Sequence, residues 1–328
     1  MSEYVWNSSL ADLILGFLKE KRALGYIYHS DELTLNRLDR HLAKLGFLEK
    51  RLDKKIVMAW LQRNPNEAES SRCRRMTTIN EFAGYLVRNN YDAYVIPHKC
   101  YPKYTKDFKA YIFTEDEITA FLKAAWNYPY DKNYPQKHAE IALLFSILVN
   151  CGLRRAEVTK LRVEDVDLEH GILTILNGKN GIDRIVPMAD SLTLNCREYA
   201  NLYLRNSKPD EFFFPGTRLE HLLPNTLYSY FRQLLWQCDI SHHGKGKGPR
   251  LHDLRHTFAV HCLSSWVKNG TDLSTALPIL SKYMGHVSIA GTQKYLQFTA
   301  DMYPDTTQKL EKIFGYVIPK GGNENENY

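Results

Sequence analysis

The chain has 328 residues, 44% of them hydrophobic and 24% charged, with a formal net charge of +6. That length suits two domains better than one core, and the composition is that of an ordinary globular protein. The longest apolar run, Ile141 to Val149, is interrupted by Ser146 and too short to span a bilayer. Residues Met1 to Leu10 lack the basic start and apolar stretch of a signal peptide, so a membrane protein is excluded and a cytoplasmic location expected.

No two of the six cysteines, Cys73, Cys100, Cys151, Cys196, Cys238 and Cys262, lie within twenty residues of each other. That spacing gives no zinc knuckle and predicts reduced thiols, several of them buried. The charge is unevenly spread. Residues 1–110 hold 19 basic against 13 acidic side chains, which is the whole excess, and the remaining 218 are balanced. A basic module beside a neutral, larger one suggests a nucleic-acid grip attached to a second function.

In chain order, Leu10, Leu13, Ile14, Phe17 and Leu18 keep helical spacing, with Ser8 or Ser9 available as N-cap. Leu35, Leu38, Leu42 and Leu45 mark a second helix; Ile56, Val57, Trp60 and Leu61 mark a shorter third. A fourth follows Asn64-Pro65-Asn66, with Ile79, Phe82 and Leu86 as its apolar stripe and Arg72, Arg74 and Arg75 in its first turns. From Asn89 to Ala110 helical periodicity gives way to Pro97, Pro102, Lys99, Lys103, Lys106 and Lys109, a basic linker and domain boundary. Thr114 and Glu117 then form a capping box. An apolar helix from about His138 to Asn150 is stopped by Gly152 in a C′ role. Gly171–Leu176 and Ile182–Met188 are β-like and flank a turn at Asn177-Gly178-Lys179-Asn180-Gly181. From Thr226 on the chain reads as largely helical, and 319–328 as a disordered tail. The whole is mainly α with a small β-sheet (α+β).

Three segments carry chemistry. In Asn150–Leu161, Arg154 lies just past the Gly152 helix stop and Glu157 can brace it across one turn. Alone, such a pair is usually a solvated ion pair. In Pro249–Leu263, His252, Arg255 and His256 fall at i, i+3 and i+4 of a helix starting near Leu251 and share a face. In Met284–Phe298, His286 precedes Tyr295 by nine residues. A lone His or Tyr on a helix is most often structural, and Tyr295 is one of 21 tyrosines.

Together the segments resemble the conserved boxes of the tyrosine recombinase (phage integrase) family. Its first box reads approximately T/C-G-L-R-x-x-E-L, matched by Cys151-Gly152-Leu153-Arg154 with Glu157. Its second, H-x-L-R-H, is matched by His252, Leu254, Arg255 and His256. Its third, L-G-H with Tyr nine residues on, is matched at His286 and Tyr295. The family's catalytic lysine lies in a β-hairpin turn between the first two boxes, where this chain has Lys179. Met284 departs from the usual Leu, and Gln297 from a frequent His. The 31 residues from Arg255 to His286 are more than in compact members, which suggests an extended helix or loop at Trp266 to Pro278.

The resemblance implies a helical core-binding domain over 1–105, with its basic linker from about 90, and a catalytic domain over 110–318. It implies site-specific cleavage and rejoining of DNA, without cofactor or metal, through a 3′-phosphotyrosine on Tyr295, for integration, excision or resolution of a mobile element. Arg154 and Arg255 would clamp the non-bridging oxygens. His252 would be the base, His286 a phosphate donor, Lys179 the leaving-group acid, and Glu157 a support. Arg72, Arg74, Arg75, Lys99, Lys103, Lys245 and Lys247 are candidate DNA-backbone contacts. The partners implied are double-stranded DNA and a tetramer of this chain on two sites, in a nucleoid-associated setting. Accessory DNA-bending proteins or a partner recombinase are left open. A C-terminal helix at Thr306 to Phe314 would dock on a neighbouring protomer. Three rival readings are a type IB topoisomerase, a catalytically idle DNA-binding protein, and a zinc hydrolase built on His252 and His256. The last is weak because Arg255 would sit beside a dication.

Overall fold

The structure, a computed structural model, describes residues 4–102, 110–176, 178, 182–216, 221–244, 248–286, 288 and 290–302. The chain divides into two compact units, 1–108 and 109–328. Among the described residues no helix is long and apolar enough to cross a membrane.

The first unit contains α1 (Ala11–Ala23), α2 (His29–Lys44), α3 (Lys54–Trp60) and α4 (Glu69–Arg88). Their apolar stripes meet in one core that includes Ile14, Phe17, Leu35, Leu38, Val57, Ile79 and Phe82. The N-cap position of α1 is Leu10, whose own side chain makes no cap; Ser8, two residues earlier, accepts the Leu10 N–H at 3.2 Å while its hydroxyl donates to the buried carboxylate of Asp39. Asp39 also accepts the backbone N–H groups of Asn7 and Ser8 at 2.8 and 3.0 Å, so an acid on α2 fixes the entry to α1.

The basic residues at the start of α4 differ in their surroundings. Arg75 donates to both carboxylate oxygens of Glu67, at 3.1 and 2.8 Å, and to the backbone carbonyls of Trp60 and Gln62. Its guanidinium therefore ties α4 to the end of α3 rather than standing at a basic edge. Arg72 donates to the Leu61 carbonyl at 3.1 Å, while Arg74, bonded to Ser30, and Lys99 are exposed.

The second unit opens with α5 (Glu115–Trp126), whose capping box between Thr114 and Glu117 is formed in both directions. It continues with α6 (Lys137–Asn150), the short α7 (Arg155–Val158), the strands β1 (Val166–Asp167), β2 (Ile172–Ile175) and β3 (Arg184–Pro187), then α8 (Asp190–Tyr203) and α9 (Pro224–Gln237). The last three helices are α10 (Asp253–Lys268), α11 (Leu273–Tyr283) and α12 (Ala290–Met302). The sheet is antiparallel in the order β1-β2-β3, with Leu173 opposite Val186 and Ile175 opposite Arg184. β1 is too short for a sequence pattern to mark. α8 buries Leu192, Cys196 and Tyr199 at helical spacing, an element that the sequence reading leaves unassigned. The extra length before His286 is α11, capped by the Asp272 side chain. The hairpin turn around Lys179, the segment with Lys245 and Lys247, Lys103, the Thr306–Phe314 helix and the tail lie outside the described residues.

α6 is buried on nearly all sides, which explains its continuous apolar run, and α10 packs against α6, α11 and α12. Gly152, just past the end of α6, has φ +58° and its Cα faces the ring of Phe258 on α10. A Cβ there would strike that ring in a backbone conformation that costs an L-residue about 1–2 kcal/mol by itself. Gly152→Ala should therefore lower the unfolding free energy by about 2 kcal/mol or more. Denaturant unfolding checks this; a loss below about 0.5 kcal/mol, the scale of an ordinary surface change, would contradict the packing argument.

Candidate active site

The three motif segments interlock through their arginines. Arg154 is the N-cap residue of α7, held extended at ψ 148° by the Gly152 turn. Glu157 reaches back over that turn: its carboxylate accepts the Arg154 backbone N–H at 2.8 Å and the Arg154 Nη1 at 2.8 Å. The other end of the same guanidinium donates from Nη2 to the carbonyl of Gly285, 2.8 Å away in the third segment. Arg255, only 2% exposed, donates to the Gly152 carbonyl at 2.7 Å and to the Met284 carbonyl. Each arginine thus crosses from its own segment to another.

Gly285 makes this possible. Its φ of +62° turns the chain out of α11, and a Cβ there would lie 3.2 Å from Arg184 Nη1 and 3.4 Å from Arg154 Nη1. Both guanidiniums lie at or inside the near limit of an ordinary van der Waals contact with that position, and the positive φ itself favours glycine.

Arg184 is a residue that the sequence reading missed. It donates to both oxygens of Glu157, at 2.9 and 2.7 Å, and from Nε to the Tyr283 carbonyl at 2.8 Å. On β3 it is buried beside Val186 while Ile185 faces solvent. The period-2 alternation through Arg184, Val186 and Met188 was the available signal, since it places an arginine on the inward face. The Arg154–Glu157 pair is accordingly not solvated: the Glu157 side chain is 6% exposed. Burial alone would raise the Glu157 pKa, but the hydrogen bonds from Arg184 and Arg154 outweigh it and bring the value to about 2.

His252, at the N-cap position of α10, lines a cavity of about 570 Å³ together with Arg154, Arg155, Tyr228, His242 and Arg250. Another cavity of about 520 Å³, near Glu140 and Tyr230, contains none of the motif residues. The Tyr295 ring on α12 is 1% exposed and lies nearly parallel to the His286 ring, centroids 6.1 Å apart at 22°. His286 Nδ1 is 2.7 Å from the buried hydroxyl of Thr292. If that hydroxyl donates, Nε2 carries the ring proton and is the nitrogen left to donate to a ligand.

The cluster's positive field tunes these groups. Burial and the charges of Arg255, Lys294 and Arg154 push His252 down to about 4, and burial with Arg255 and Arg154 does the same for His286. Burial raises the Tyr295 phenol, an effect that Arg255 and Arg154 partly offset. Arg255 is lowered by burial and by Arg154 to about 10, so it remains charged at neutral pH. A buried set of arginines with neutral imidazoles and one phenol is suited to receiving a phosphate, not a metal dication.

Residues 111–301 match the model of the phage integrase family. The chain belongs to that family. It is 27% identical over 315 residues, 93% of this chain and 98% of the relative, to the putative integrase/recombinase y4rB of Sinorhizobium fredii. It is also 28% identical over 210 residues, 62% of this chain and 63% of the other, to the tyrosine recombinase XerA of Pyrococcus furiosus. In fold it resembles the XerH site-specific recombinase, with a TM-score of 0.62 at 19% identity over 93% of this chain and 85% of that one. It likewise resembles the Tn1549 transposon integrase, with a TM-score of 0.60 at 16% identity over 90% and 99%. The protein is a site-specific tyrosine recombinase of α+β fold that acts on DNA. These relatives favour a recombinase over the topoisomerase and idle-binding readings.

The recombinase brings together Arg154, Glu157, His252, Arg255, His286 and Tyr295. Lys179 is outside the described residues, and Arg72, Arg74, Arg75 and Lys99 belong to the other unit. The tuning can be measured. Imidazole NMR titration of the DNA-free recombinase should place His252 and His286 near 4, so both rings are neutral from pH 6 upward and gain protons only well below it. A midpoint near the unperturbed value of about 6.5 for either ring would contradict the burial and arginine field described.

Proposed function

We propose that the recombinase cleaves and rejoins DNA through a 3′-phosphotyrosine on Tyr295, in the integration, excision or resolution of a mobile element. The convergence of Arg154, Arg255, His286 and Tyr295 around the 284–286 turn is the observation that carries this reading. In the step, Tyr295 Oη bonds to phosphorus as the P–O5′ bond breaks, its electron pair leaving on O5′. The phenol gives up its proton and O5′ takes one. The phosphodiester's free energy is kept in the new ester, so the reverse attack by a 5′-hydroxyl religates the strand without a nucleotide cofactor.

Arg154 and Arg255 receive the non-bridging oxygens as charge builds on them, and His286 adds a donor through Nε2. Neutral His252 is able to accept a proton at physiological pH, in line with a role as base. Lys179 is proposed as the acid for O5′. Glu157 supports the clamp.

The first unit would grip DNA with Arg72, Arg74 and Lys99, and the segments carrying Lys103, Lys245 and Lys247 would add backbone contacts. Arg75, tied to Glu67, would support the unit's shape. Recombination joins two duplexes, so the working form is proposed to be a tetramer of this chain on two sites, with residues 306–314 docking between protomers. The transposon integrase among the structural relatives, described in complex with circular intermediate DNA, supports the mobile-element reading.

The substrate comes from sequencing the DNA trapped covalently on the recombinase in cells. A nicked duplex carrying that site should yield a covalent band on a denaturing gel. Tyr295→Phe should abolish the band with binding nearly intact, because only the hydroxyl is lost. Arg154→Ala or Arg255→Ala should slow band formation by about a hundredfold or more. A persistent band from Tyr295→Phe would move the chemistry to another tyrosine.

A further inference from the structure

The proposed cleavage step uses His252 at the head of α10 and gives no role to His256, one turn further on. His256 follows Arg255 directly and is 2% exposed. Its Nδ1 lies 3.2 Å from the Tyr295 Oη, with ring centroids 5.5 Å apart at 54°. The His252 ring stands edge-on to it at 4.7 Å, and Phe298 closes another side at 6.2 Å. The phenol oxygen is also reached by the Arg255 side chain, whose hydrogen bond and charge favour the phenolate.

A phenol has one hydrogen to donate, and its direction decides where the oxygen's lone pairs point. Attack on phosphorus needs a lone pair aimed in line with the departing O5′. A hydrogen bond from Oη to His256 turns the hydrogen toward that ring and leaves a lone pair for the Arg255 guanidinium. We propose that His256 is a positioning residue for the nucleophile: its Nδ1 accepts the Tyr295 hydrogen and so aims the phenol oxygen at the phosphate site of Arg154 and Arg255.

This inference rests on Tyr295 being the nucleophile. It requires an uncharged ring whose proton sits on Nε2. Burial and the neighbouring His252, Lys294, Arg250 and Arg255 all disfavour the charged form and bring His256 to about 3, which is consistent with an acceptor. The bonds made and broken remain those of the cleavage step: His256 aims the hydrogen before attack, and as Oη bonds to phosphorus the proton passes on to His252, whose ring stands 4.7 Å from that of His256.

The test is single-turnover cleavage of the nicked duplex at saturating full-length protein, with His256→Leu, His256→Asn and Tyr295→Phe beside the wild type. Leu removes the acceptor, while the Asn side-chain oxygen stands close to where Nδ1 was. His256→Phe carries the same test if the Leu variant fails to fold. Cleavage by His256→Leu should fall about tenfold to a hundredfold. DNA affinity should stay within about twofold, and His256→Asn should recover most of the rate. A duplex with sulfur in place of the scissile O5′ separates the two halves of the reaction, because a thiolate leaves without needing a proton. The His256→Leu defect should persist on it.

Several results would overturn the proposal. Cleavage by His256→Leu at the wild-type rate, or faster, would show that His256 restrains the phenol. Restoration of the rate on the sulfur duplex would place His256 on the leaving-group side. A fall in His256→Asn as deep as that in His256→Leu would leave only ring packing. A covalent band from Tyr295→Phe would instead sink the nucleophile reading itself, a failure distinct from all three.

Discussion

One buried carboxylate makes the rest of this site possible. Arg154, Arg184 and Arg255 crowd around the same turn, and three guanidiniums taken out of water beside one another would repel strongly. Glu157 accepts from two of them at once, and the carbonyls of Gly152, Tyr283, Met284 and Gly285 take further donors. Among the described residues, these three positive charges meet the single negative charge of Glu157, so the cluster keeps an excess of positive charge in a place of low dielectric. That excess matches a phosphodiester and matches its more highly charged transition state better. The contacts named take two of the five N–H donors of Arg154, so its fork is fixed in place while donors remain for a ligand.

The same arrangement sets the state of every other group. Imidazoles buried near arginines lose their protons, which makes His252 an acceptor and lets His286 offer one N–H. The phenol is pulled two ways, upward by burial and downward by Arg154 and Arg255. Tyr295 is covered in this state, so a phosphorus atom can reach its oxygen only when neighbouring side chains or α12 shift. Burial therefore shields the Tyr295 hydroxyl from water, and the arginines favour an anion beside it.

Much of this was legible in the sequence. The stripes of α1 to α4, the Thr114–Glu117 box, the Gly152 stop and the two β-like segments depend on local spacing, and local rules describe them well. The family boxes named the arginines, histidines and tyrosine that the fold then gathers. What escaped depends on tertiary contact. Arg184 lies 27 residues after Glu157, and only the pairing of β2 with β3 and the packing of the sheet near α11 bring it to the carboxylate. His256 could be read as sharing a face with His252, but its meeting with Tyr295 spans 39 residues and needs α10 packed on α12. The tie from Ser8 to Asp39 depends on another helix, which spacing along the chain does not show. Arg75 looked like one of three equivalent basic residues until Glu67 claimed it.

The central claim is that the Glu157 charge, rather than its bulk, sets the arginine clamp. Glu157→Gln keeps the shape and removes the charge, so it isolates that term. Single-turnover cleavage at saturating DNA is the most direct measurement. The rate should fall about tenfold to a hundredfold while DNA affinity changes by no more than about threefold, because the clamp loses its geometry but the wider DNA contacts remain. Cleavage by Glu157→Gln at the wild-type rate would show that Arg154 and Arg255 are placed without the carboxylate, and would contradict this account.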